Sequence, residues 1–107
     1  MLNGACVEER KMSKMIIYEK LIEDIKGYVE DVTGSVMIPL DYNIKKNGMS
    51  RVDIIHMVAH YEEKFEIVLT HDEYGEWNTV EDIVDTLCES LIEAGYIVIG
   101  QENIEKI

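Results

Sequence analysis

Gly48-Met49-Ser50-Arg51-Val52-Asp53-Ile54-Ile55-His56-Met57-Val58-Ala59-His60-Tyr61-Glu62-Glu63-Lys64-Phe65 decides how the chain folds. Ile54, Val58, Tyr61 and Phe65 recur at i, i+4, i+7 and i+11, which gathers them into one apolar stripe of an α-helix. Val52, Ile55 and Ala59 are expected to widen that stripe. Asp53, His56, Glu62, Glu63 and Lys64 are left for water. Ser50 is placed as N-cap, its hydroxyl accepting a first-turn amide, and Asp53 stands three residues on in a capping-box position.

Similar periodicity appears on both sides. Upstream, Ser13 is placed to cap a helix running to about Thr33, with Ile17, Leu21, Ile22, Ile25, Tyr28, Val29 and Val32 inward and Gly34 as its left-handed stop. Gly27 inside it costs up to about 1 kcal/mol relative to Ala. Residues 34–49 form a long loop holding the only proline, Pro39. Met37, Ile38, Leu40 and Ile44 argue that this loop packs under the helices. Downstream, Glu66-Ile67-Val68-Leu69 reads as extended chain dropping into the core, and Asp72 to Trp77 as one helical turn. Thr79 with Asp82 opens a last helix that faces Val80, Ile83, Val84, Leu87, Leu91 and Ile92 inward and ends at Gly95. The apolar tail Tyr96–Ile99 either lies against the bundle or forms an exposed strip seeking a partner. The expectation is therefore an all-α bundle of three to four helices over residues 13–95, with residues 1–12 a mobile leader and 96–107 a tail.

Composition narrows the function. With 107 residues the chain is sized for one domain. No apolar run approaches the roughly 18–20 residues of a membrane span, and the first residues lack a secretory signal's pattern. A cytoplasmic location follows as the default. Cys6 and Cys88 belong to no metal or redox pattern and read as free thiols. The formal charge is −12, from 10 Lys+Arg against 22 Asp+Glu. Residues 50–94 set only Arg51 and Lys64 against twelve carboxylates. Nucleic acid is excluded as a partner on that ground, since phosphate-binding surfaces need clusters of Lys and Arg. A negative field favours docking on basic patches of other proteins.

Metal and hydrolase chemistry find little support. His56 and His60 have the spacing of paired zinc ligands, but Met57 stands where a zincin has Glu and no third ligand is evident. His71-Asp72 has no nucleophile placed by motif. Met12, Met15, Met37, Met49 and Met57 suit core filling rather than a cofactor site.

Taken in order, residues 17–93 resemble an acyl carrier protein. The likeness lies in a first helix and a long loop ending in Gly48-Met49. It continues in a second helix closing on Tyr61-Glu62-Glu63-Lys64-Phe65-Glu66-Ile67, and in Thr79-Val80-Glu81-Asp82-Ile83-Val84 opening the last helix. The family commonly shows Gly-x-Asp-Ser-Leu at the start of the second helix, and its serine carries a phosphopantetheine arm whose thiol holds acyl groups. This chain departs there. Counted forward from Gly48 or back from Phe65, Ser50-Arg51-Val52 fills the register of Asp-Ser-Leu, so Arg51 occupies the attachment position.

Two expectations follow from the resemblance. In the first, no cofactor is attached, because an arginine forms no phosphodiester and Ser50 is occupied as a cap. In the second, 4'-phosphopantetheine is attached at Ser50, against a one-residue shift that turns a helical side chain by about 100°. Ser13, Ser35 and Ser90 lack motif context. The resemblance also implies recognition by a basic surface of a partner enzyme of fatty-acid, polyketide or peptide assembly, through Asp53, Glu62 and Glu63, with His56 where an acidic residue is usual. The protein would have no catalytic activity of its own. A different class of role, a structural interaction subunit using the bundle and the Tyr96–Ile99 tail, remains beside these.

Overall fold

In the computed structural model, which describes residues 14–100, four helices pack around one core: α1 (Tyr18–Thr33), α2 (Arg51–Phe65), the single turn α3 (His71–Tyr74) and α4 (Val80–Glu93). The all-α bundle with its long loop between the first two helices is the architecture expected. Residues 1–12 and Ser13, read as leader and cap, lie outside the described residues, as do residues 101–107 of the tail.

Local chemistry sets the helix ends. Ser50, Thr70 and Thr79 each close a capping box on the residue three positions on, satisfying two orphan backbone donors apiece. Gly34 takes φ 79° after α1, and its N–H returns to the Glu30 carbonyl at 2.8 Å. Beyond α4, Gly95 (φ 102°) reverses the chain, so that the Tyr96 N–H reaches the Leu91 carbonyl at 2.9 Å.

The first helix starts later than its periodicity suggested. Met15–Ile17 is a short strand, β1, and Ile97–Ile99 is another, β2; they pair in parallel with Ile16 opposite Val98. β-Branched runs at the two ends of a chain can satisfy each other's backbone, and that pairing overrides the helical spacing of Ile17. Ile16 and Val98 pack on the core, whereas Met15, Ile17, Ile97 and Ile99 stay exposed. The tail thus lies against the bundle on one face and presents a strip on the other. It is also tied to α2, since the Tyr96 hydroxyl donates to the Phe65 carbonyl at 3.0 Å.

Leu21, Ile25 and Val29 of α1, Ile54, Met57, Val58 and Tyr61 of α2, and Val80, Ile83, Val84, Leu87 and Leu91 of α4 form the centre of the core. Val32 and Ile92, expected inward, are exposed because each sits at the edge of its helix's apolar arc. The long loop is packed as its apolar content demanded: Ile38, Ile44 and Met49 are buried, although Met37 is 91% exposed. Backbone bonds lock this loop onto the start of α4, with Ile44 N–H on the Asn78 carbonyl, Val80 N–H on Tyr42 and Glu81 N–H on Leu40. Ile67 and Leu69 are buried and alternate with exposed Glu66 and Val68, as an extended connector should.

Candidate functional site

The start of α2 is built by its neighbours in sequence. Gly48 adopts φ 113°, which lets Met49 turn inward, its N–H bonding the Ile44 carbonyl at 3.0 Å. Burial of Met49 fixes where Ser50 leaves the loop. Ser50 Oγ accepts the Asp53 N–H at 3.1 Å, and Asp53 Oδ2 accepts the Ser50 N–H at 2.9 Å. Arg51 follows as the first residue of the helix, exposed to solvent. Its guanidinium forms no ion pair or hydrogen bond among the described residues, whose one salt bridge joins Lys64 to Asp24 at 3.2 Å. A cation in the first turn opposes the helix dipole, while Asp53 two residues on favours it.

The remaining residues singled out in the sequence divide into two groups. His56 and Glu63 are exposed. Asp53 and Glu62 are only partly exposed and hold backbone amides, Glu62 Oε2 accepting the Leu69 N–H at 2.9 Å where the chain leaves α2. Both carboxylates therefore shape the helix ends as well as carrying charge. Val52, Ile55 and Ala59 do not widen the core stripe. They are exposed, Val52 by 58% and Ile55 by 46%. Together with His56 and Glu63 they run at i, i+3, i+4, i+7 and i+11 along the solvent side of α2. An outward apolar stripe was invisible to periodicity because Val52, Ile55 and Ala59 also extend the inward pattern when only spacing is counted.

His56 and His60 do not converge on a site. His60 lies against the rings of Tyr28 (5.1 Å) and Tyr61 (4.7 Å). Among the described residues no group of three or more His, Cys, Asp or Glu could hold a metal ion. Tyr61 itself is fully buried, and burial, followed by the Asp24 carboxylate, pushes its phenol far above the usual range.

A cleft of about 350 Å³ opens beside the start of α2, between the end of the long loop and α3. It is lined by buried Met49 and Ile54, half-buried Tyr74, and exposed Ile55, Lys45, Arg51 and His71. Sequence reasoning passed over this cluster because its members come from three segments without shared spacing.

These features define a small helical bundle in which a long loop delivers the chain to the capped start of the second helix. The crystal structure of an acyl carrier protein from Thermotoga maritima is similar, with a TM-score of 0.62 over 72% of this chain and 93% of that one. The two sequences are 22% identical, so the likeness is one of fold. No protein-family model matches the sequence, and neither does any curated protein. Among the described residues no helix is long and apolar enough to cross a membrane.

Proposed function

We propose that the protein is a carrier-like docking protein without a phosphopantetheine arm. It would meet the basic surface of an enzyme of fatty-acid, polyketide or peptide assembly through α2, and would perform no chemistry itself. The observation that carries this reading is the outward stripe of Val52, Ile55 and Ala59, bordered by His56 and Glu63 on a helix already packed on its other side. An apolar centre within a charged rim is the anatomy of a protein interface. The surrounding negative charge would steer a basic partner toward it.

The residues at the helix start do not fit an attached arm. Arg51, in the register where the family has its serine, forms no phosphate ester, and Ser50 Oγ serves the Asp53 amide. One observation favours the second reading, attachment at Ser50: the side chain is exposed at the head of the helix.

Binding to purified condensing and acyl-transfer enzymes, measured by surface plasmon resonance, tests the docking face. Val52→Asp is expected to weaken binding at least about tenfold, as truncating a central interface contact does. Glu63→Lys should slow association and flatten the salt dependence. Binding that survives both changes would remove α2 as the docking face.

A further inference from the structure

The parallel pairing of β1 with β2 sets Met15 beside Ile97 and Ile17 beside Ile99. Side chains alternate along a strand, so these four share one face, while Ile16 and Val98 take the other and pack on the core. The four are between 43% and 57% exposed. Such a block leaves on the order of 400 Å² of apolar surface open, inside the range of roughly 300–600 Å² at which the largest patch of a monomer is often functional. We infer that this face packs against the same face of a second copy of the chain, giving a reversible two-fold dimer.

Charge selects the occupant. Residues 50–94 set two cations against twelve carboxylates, yet residues 14–20 and 96–100 carry only Lys14 and Lys20 against Glu19. A basic partner therefore finds no counter-charge in the segments that build this face, and a second copy meets no concentrated repulsion from them. Lys14 is itself turned over the Tyr96 ring, 5.5 Å from its centroid. Shape points the same way. A two-fold axis lying between two such faces sets the four side chains of one copy against the same four of the other, as an isologous contact requires. Sheets stack face to face in this manner about 10 Å apart. The open area is about half of the roughly 800 Å² that each partner gives to a stable interface, so the dimer is weak and concentration-dependent. The Tyr96 hydroxyl ties this sheet to Phe65 at the end of α2. Ser50 and Arg51 stand about 20 Å away at the helix start, so dimerisation leaves that start open on both copies. The inference stands on the sheet face and does not need the docking reading.

Sedimentation velocity of the full chain, from micromolar to millimolar concentration and at low and high sodium chloride, tests it. One reversible monomer–dimer equilibrium is expected. Added salt should strengthen it, because screening relieves the repulsion between two chains of net charge −12. A basic partner held by the acidic helix would respond in the opposite sense. Met15→Gln/Ile97→Thr keeps a β-branched residue in β2 and is expected to weaken self-association at least about tenfold. Its melting temperature, measured on dilute protein, should stay within a few degrees of the natural chain. Ile17→Thr/Ile99→Thr, at the other two positions of the block, should do the same, so either variant decides should the other unfold. Amide shifts that grow with concentration should centre on residues 15–17 and 97–99. A monomer at every concentration, unchanged self-association in a folded double variant, dimers dissociated by salt, or shifts centred on α2 would each overturn the inference.

Discussion

Ser50 and Asp53 satisfy each other reciprocally: the hydroxyl accepts one backbone N–H at 3.1 Å and the carboxylate accepts the other at 2.9 Å. The link between loop and second helix therefore rests on two short side chains as well as on the burial of Met49. Ser50→Ala is expected to destabilise the protein by about 1 kcal/mol, and Ser50→Asp to restore most of that loss. Asp53→Ala should cost a similar amount, and the double variant less than the sum of the singles, because both act on one motif. Urea denaturation followed by circular dichroism measures all four.

Gly27 lies inside α1 with nothing within 4 Å of where a Cβ would project. It has no positive φ to justify it. Gly27→Ala is expected to raise stability by roughly 0.5–1 kcal/mol through the lower entropy of the unfolded chain and better helix propensity. A melting temperature unchanged or lowered would mean that this helix is not continuous through residue 27.

Cys88 is buried on α4, and burial, followed by Asp85 and Glu89, pushes its thiol up from 9.0 to about 11. A group whose pKa is raised on folding binds more protons in the native than in the unfolded chain, so stability falls as pH rises between these values. The urea midpoint is accordingly expected to drop from about pH 9 toward 11, and to drop less steeply in Cys88→Val. Tyr61 adds to the loss at the alkaline end, because its phenol is raised further still. Thiol-specific reagents should label Cys88 slowly in the folded protein and readily in urea.

What the sequence disclosed follows how far apart the interacting groups lie. The caps at Ser50 and Thr79 were legible because donor and acceptor sit three residues apart. So were the inward faces of Leu21, Ile25, Ile83 and Leu87, which obey one period. The pairing of Met15–Ile17 with Ile97–Ile99 was not, since no local pattern marks a partner some eighty residues away. Trp77 shows the same limit. It is buried and donates from Nε1 to Thr86 Oγ1 at 2.9 Å, although its own neighbourhood reads only as a single helical turn. At the candidate site, the register of Arg51 was plain, but the exposure of Val52 and Ile55 depends on which side of α2 the other helices occupy.

The account turns on the first turn of α2 offering no attachable hydroxyl. The most direct measurement is the intact mass of the purified protein after incubation with coenzyme A and a broad-specificity phosphopantetheinyl transferase, run beside the double variant Ser50→Asp/Arg51→Ser. The account predicts an unchanged mass for the natural sequence and an added arm on the double variant, whose hydroxyl then occupies the register of the family's serine. An added arm on the natural sequence that disappears in Ser50→Ala would contradict it.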